Sequence, residues 1–168
     1  VLFYFPDDRK VRKFSSESSR TTHAAPEAIE CCQLLAELIN KALLGASKTE
    51  LRFLPASTFS QPKVAEIARC DYFTKSIDEI CGSGYCVQSL EAALWCFQHT
   101  DSFAAAILQA ANLGDDADTT AAIVGQLAGA HYGVRAIPAN WLDLLHDGEE
   151  IAATADRLLE ASRQQVPE

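Results

Sequence analysis

The chain contains no methionine, and basic residues are scarce: 14 Lys and Arg stand against 23 Asp and Glu, for a formal net charge of −9. That balance excludes a polyanion as a direct partner, because nucleic-acid affinity rests on Lys and Arg neutralising phosphates. No apolar run approaches the ~18 residues that a membrane span requires, so no membrane partner is expected. No Gly-x-Ser-x-Gly elbow and no phosphate-binding P-loop are present, which removes two common catalytic frameworks. The six cysteines, Cys31, Cys32, Cys70, Cys81, Cys86 and Cys96, include no CxxC pair and no zinc-ligand spacing to a histidine. They read as reduced, mostly buried thiols of a cytoplasmic protein. Alternating strand patterns are also missing. What remains is 168 residues that are 48% hydrophobic, enough for the core of one domain. The missing methionine goes with an abrupt apolar opening, Val1-Leu-Phe-Tyr-Phe5, that looks like a buried segment. The chain therefore reads as the C-terminal part of a longer protein, with 1–168 belonging to a single domain.

Helical periodicity carries most of the chain. Pro6, Asp7 and Asp8 start a first helix with Val11 and Phe14 on one face, ending near the polar run up to His23. Pro26 and Glu27 open a second, in which Ile29, Cys32, Leu35, Ala36, Ile39 and Leu43 recur at three and four residues, with Gly45 after its end. Ser47 and Glu50 form a capping box for a short helix. Between Leu54 and Thr74 the pattern weakens, with a short helix expected over Lys63–Arg69 and one more turn over Ser76–Ile80. From Val87 the period returns through Leu90, Ala93, Leu94 and Phe97 to about Thr100. Asp101 or Ser102 caps a further helix carrying Phe103, Ala106, Ile107 and Ala110. A segment from Ala121 to Tyr132 places Gly125 and Gly129 four apart, which permits close helix approach and predicts a central position. Pro138 starts a short helix, and Glu149–Arg163 forms the last. The class is all-α with seven to nine helices.

Three polar loops interrupt this pattern. The first ends in His23, beside Thr21 and Thr22; a lone histidine there serves either a helix start or a ligand. The second is Gly82-Ser-Gly-Tyr85, which is either a turn or a close approach of ligand to backbone with Tyr85 as a stacking face. The third is Asn112-Leu-Gly-Asp-Asp-Ala-Asp-Thr-Thr120, which gathers Asp115, Asp116 and Asp118 and then two threonines. Close carboxylates repel unless a positive charge sits among them. The loop is thus either an over-supplied helix cap or a hard-cation site of carboxylate and hydroxyl oxygens. An EF-hand fails, with no glycine or glutamate at the required loop positions. Asp116-Ala-Asp-Thr-Thr120 also matches the Asp-x-Asp-x-Thr nucleophile loop of haloacid dehalogenase-like phosphatases, but that loop follows a parallel strand, whereas Ala104–Ala111 is helical in composition. His99, His131 and His146 show no partner pattern and are assigned structural roles.

These three loops, in this order, resemble the ADP-ribosylglycohydrolase family. Asn112 to Ile123, followed by Gly125, Ala128-Gly-Ala130 and Tyr132-Gly133, is similar to the family's late Gly-Gly-Asp-Thr-Asp-Thr motif and its small-residue helix. Gly82-Ser-Gly-Tyr85 with Ser89 to Trp95, and Thr22-His23 with Pro26-Glu27-Ala28, resemble two further segments. The resemblance implies a compact multi-helix fold, incomplete at its N-terminus, around a two-magnesium centre, with Mn²⁺ as a substitute. It implies a hydrolase that removes ADP-ribose from a modified acceptor at the ribose anomeric carbon. Asp116, Asp118 and Thr119 would be metal ligands, Gly84 and Tyr85 would line the ADP-ribose cleft, and His23 would lie near its phosphate or ribose. Asp115 stands where the family has a small residue, and no ligand role passes to it. The family's early Gly-Asp and Thr-Asp-Asp-Thr motifs, with the remaining ligands and the acid/base carboxylate, have no counterpart here. The chain alone is therefore expected to be inactive, and to bind its N-terminal half or itself. The alternative is a truncated helical binding or packing module without chemistry.

Overall fold

The computed structural model describes residues 1–164. These form an all-α arrangement: α1 Asp8–Arg20, α2 Pro26–Leu43, α3 Lys48–Leu51, α4 Pro62–Ala68, α5 Cys86–Gln98, α6 Phe103–Ala111, α7 Ala117–Tyr132, α8 Ala139–Leu142 and α9 Gly148–Arg163. Short 3-10 turns join several of them, and no strand occurs among the described residues. None of the described helices is long and apolar enough to cross a membrane. Because a helix, α6, delivers the chain to the acidic loop, the phosphatase-type strand and nucleophile loop are ruled out.

The centre is α5. Every residue from Ala92 to Gln98 is buried, the mark of a helix enclosed on all sides rather than lying on a surface. Helices α2, α4, α6 and α7 pack around it. Its polar groups are satisfied at the edges: the Trp95 indole N–H donates to the Lys75 carbonyl at 3.0 Å, and the Lys48 ammonium donates to the carbonyls of Phe97 and Thr100. A cation at a helix C-terminus satisfies orphan carbonyls and complements the dipole. Helix α7 meets α2, α5 and α6. A Cβ built on Gly125 would stand 3.3 Å from Ile107 Cδ1, so the small residue does set the closeness of α6 and α7.

Local signals turn out as expected where they depend on neighbours in sequence. Asp7 caps α1 by accepting from the Lys10 N–H at 3.0 Å, and both halves of the Ser47/Glu50 capping box are formed. A second box, Ser76 with Glu79, holds the turn before the glycine loop. Two expectations are corrected. The periodic face on α2 is not its most buried one: Cys31, Leu34, Leu38 and Ala42 enter the main core. Cys32, Leu35, Ala36 and Ile39 line, with Val11 and Phe14, an apolar cavity of about 350 Å³, Leu35 and Ile39 also packing against the edge of the core. Helix α2 thus has two apolar faces, one for the core and one for α1. Likewise no residue of Val1–Phe5 is fully buried; the segment forms a turn packed against α9.

All six cysteines are free; Cys31, Cys70 and Cys96 are buried, Cys86 is half-buried, and Cys32 and Cys81 are exposed. Burial pushes the Cys96 thiol up to about 12. It also raises the Cys31 thiol, with Cys86 beside it adding to the effect. Neither is a ready nucleophile, because the thiolate is the reactive form.

One carboxylate ties the approach to α4 back to α2. Glu30 on α2 accepts from the Ser60 N–H at 2.9 Å, the Ser60 hydroxyl at 2.6 Å and the Gln61 N–H at 2.9 Å. Desolvation raises the pKa of Glu30, but the hydrogen bonds from Ser60 and Gln61 outweigh it and hold the group below its ordinary 4.5. A depressed folded pKa stabilises the fold above the unfolded value and loses that contribution as pH falls through the folded one. Thermal unfolding followed between pH 6 and pH 3 should therefore show a loss that Glu30→Gln removes. At neutral pH the same variant should be less stable by about 1–2 kcal/mol, the scale of hydrogen bonds to a charged group that is partly exposed.

Candidate active site

Helix α7 begins at Ala117, earlier than the expected Ala121, so Asp118, Thr119 and Thr120 form its first turn instead of a preceding loop. The turn into it uses two left-handed residues in succession, Gly114 at φ 77° and Asp115 at φ 54°. Asp is one of the few side chains that tolerate this region. The resulting reversal aims the Asp116 N–H at the Gly82 carbonyl, 2.9 Å away. Asp116 occupies the N-cap position, yet its side chain makes no cap hydrogen bond. Its carboxylate instead accepts from the Thr119 hydroxyl at 2.8 Å. The Thr120 hydroxyl turns inward and donates to the Asp116 carbonyl at 3.0 Å.

The glycine loop fits against this turn because it lacks side chains. A Cβ on Gly82 would stand 2.8 Å from Thr120 Oγ1, an impossible approach, and one on Gly84 would lie 3.8 Å from Asp116 Oδ2. Gly84 therefore presents bare backbone beside the Asp116 carboxylate. The loop is tied to α5 by Ser89, whose hydroxyl donates to the Ser83 and Tyr85 carbonyls. The Tyr85 N–H donates to Ser83 Oγ at 3.2 Å.

The Tyr85 hydroxyl donates to the carboxylate of Glu27, in the first turn of α2. Lys63 of α4 donates to the same hydroxyl at 3.2 Å and lies 4.8 Å from the ring centroid. The hydrogen bond to Glu27 raises the Tyr85 pKa above its ordinary 10.0. Two contacts, Glu27 with Tyr85 and Gly82 with Asp116, thus gather the N-termini of α2, α5 and α7 at one end of the molecule. Each carries roughly half a positive charge from its aligned peptide dipoles, which favours anions, while Glu27, Asp116 and Asp118 place carboxylates in the same turns.

The structure brings Gly84, Tyr85, Asp116 and Thr119 together, with Asp118 exposed in the same turn as Thr119. Asp115 is engaged differently, accepting from the Cys81 thiol at 3.8 Å. His23 is exposed on the loop before α2, with its Nδ1 3.1 Å from Thr22 Oγ1 and its carbonyl accepting from Ser19. It joins the group only through Glu27, one turn further on. Of the other histidines, His99 stacks on Trp95 and Phe73, and His131 packs edge-on against Phe97. His146 holds no structural position: its side chain is 96% exposed beside Asp147. Sequence reasoning missed Glu27 and Lys63 as site residues. Glu27 carries a signal as an acidic first-turn residue, whereas Lys63 lies in the stretch with the weakest pattern.

A model of the ADP-ribosylglycohydrolase family matches residues 1–168. The chain belongs to this family. It is 45% identical over 150 residues to an ADP-ribosylarginine hydrolase, Tri1, of Pseudomonas putida (strain GB-1), covering 89% of this chain and 40% of that protein. It is 46% identical over 63 residues to the ADP-ribosyl-[dinitrogen reductase] glycohydrolase of Rhodospirillum rubrum, covering 38% of this chain and 21% of that one. Among solved structures, an ADP-ribosylglycohydrolase-related protein complex superposes with a TM-score of 0.87 at 36% identity. That match covers 96% of this chain and 56% of the other. The chain thus spans well under two thirds of the length of these relatives.

The joint between Gly82 and Thr120 can be tested directly. Gly82→Ala should lower stability by about 1–3 kcal/mol, the cost of overpacking a closed contact. Adding Thr120→Ala, which removes the opposing hydroxyl, should recover part of the loss, so that the two changes are non-additive in denaturant unfolding.

Proposed function

We propose that this chain contributes part of the active site of a hydrolase that removes ADP-ribose from a modified acceptor at the ribose anomeric carbon. The observation that carries the reading is the meeting of three helix N-termini and their polar loops at one end, within a chain of this family. The relatives named as hydrolases of ADP-ribosylarginine and of ADP-ribosylated dinitrogen reductase support the substrate class. In this reading residues 1–168 are the C-terminal portion of a single all-α domain.

The donor set fits a hard divalent cation. Asp116, Asp118 and Thr119 offer oxygen alone, and the Thr119 hydroxyl already lies 2.8 Å from the Asp116 carboxylate. These residues would hold Mg²⁺ or Mn²⁺. The bound ions supply Lewis-acid polarisation and an activated water in a hydrolysis of this kind. Three oxygens fall short of the shells of two such ions, and among the described residues no three His, Cys, Asp or Glu side chains gather into a metal-holding group. The remaining ligands and the acid/base carboxylate are therefore assigned to an N-terminal portion. Within this chain, Gly84 lets the ligand approach the backbone, Tyr85 offers a ring and a fixed hydroxyl, and the His23 loop faces phosphate or ribose. The helix N-termini favour the pyrophosphate, and the acidic loop tolerates it once cations are bound. Free thiols suit a reducing, cytoplasmic setting.

Exposed apolar side chains recur in the C-terminal third and support a packing partner, either that N-terminal portion or a second copy. Leu144 is 85% exposed, with Val134, Leu142, Leu145 and Ile151 also open. Single exposed apolar residues are ordinary, whereas several in one segment are what a packing partner would cover.

With the N-terminal portion supplied, calorimetric titration with ADP-ribose should show binding that strengthens with Mg²⁺ and loses that dependence in Asp116→Asn. The chain alone, given Mg²⁺ and an ADP-ribosylated arginine peptide, should release no ADP-ribose. Robust release would overturn the assignment of essential groups to another portion. Size-exclusion chromatography should give a mass above the 18.3 kDa monomer; a clean, stable monomer would count against the exposed face as an interface.

A further inference from the structure

The hydrogen-bond junction at the Tyr85 hydroxyl is built more elaborately than a surface tyrosine requires. One oxygen donates to Glu27 of α2 and accepts from Lys63 of α4, while its own residue is the N-cap of α5. Three helices that are remote in sequence therefore meet at a single atom, 58 residues separating Tyr85 from Glu27. Tyr85 is also fixed at its backbone, through its N–H to Ser83 and its carbonyl to Ser89. A side chain held at both ends has little rotamer freedom left to lose when it contacts a ligand.

From this geometry we infer that Glu27 is a positioning residue for ligand binding, acting through the Tyr85 hydroxyl. The inference rests on the proposed ADP-ribose reading and adds to it a residue with a stated role. Glu27 does two things at once. It orients the phenol of the residue next to Gly84, and it holds the start of α2 over the start of α5, which sets the distance between the His23 loop and Tyr85. A carboxylate suits this place, because an acidic group in the first turn of α2 is favoured by the helix dipole. Its charge would repel an anionic ligand if left bare. The Lys63 ammonium, on the far side of the same hydroxyl, offsets it.

The test is a double-mutant cycle on this chain with the N-terminal portion supplied, with ADP-ribose and Mg²⁺ as the probe and calorimetry as the readout. Glu27→Gln keeps the shape and removes the strong acceptor. Tyr85→Phe keeps the ring and removes the donor. Glu27→Gln should weaken ADP-ribose binding about 5- to 20-fold, the scale of one charge-assisted hydrogen bond. In the Tyr85→Phe background the same change should have almost no further effect, because the two residues then act as one unit. Unchanged binding in Glu27→Gln overturns the inference while leaving the functional reading intact. An equal loss in both backgrounds also overturns it, since Glu27 would then act by another route. Absence of ADP-ribose binding by the parent chain with the N-terminal portion supplied overturns the functional reading, and this inference with it.

Discussion

A single backbone hydrogen bond, from the Asp116 N–H to the Gly82 carbonyl, holds together what this fold presents at its working end. It needs conditions on both sides. On one, two consecutive left-handed residues must turn the chain so that the N–H points outward. On the other, Gly82 must lack a Cβ, because Thr120 occupies the space where one would go. Thr120 in turn is buried and committed to the Asp116 carbonyl. The joint is therefore closed on all sides, and the positions of Gly84, Asp116 and Thr119 follow from it.

Bringing three helix N-termini to one place sets up a repulsion between like partial charges that the chain answers with carboxylates. Glu27 lies in the first turn of α2 and Asp118 in that of α7, while α5 has no acidic residue of its own there. Through Tyr85 and the loop hydroxyls, α5 draws on its neighbours instead. The result is a surface of mixed character: peptide dipoles that favour an anion, and carboxylates that favour a cation. A ligand carrying phosphates together with divalent metal satisfies both, which is the electrostatic ground for the proposed substrate.

Most of the helical framework was legible from the residues because helix signals are local. Asp7, the Ser47/Glu50 box and Gly125 act on groups within one or two turns or through simple periodicity, and each performed as expected, whereas α5 and not the glycine-bearing α7 holds the centre. The face of α2 was misjudged for a definite reason. Its sequence carries apolar residues on two faces, and periodicity does not say which one meets the larger core. The acidic loop was placed correctly, but its helix starts earlier than expected, since Asp118 and Thr119 suit a first turn as readily as a loop.

The residues by themselves determined the class, the succession of helices and the three polar loops, with the oxygen-rich one among them, because these depend on periodicity, capping and composition along the chain. Only the tertiary structure decided that the loops share one end, and that Glu27 and Lys63 belong with Tyr85. Those outcomes rest on contacts between helices far apart in sequence. Their geometry is set by how α2, α4 and α7 pack around the buried α5, and no local pattern encodes that.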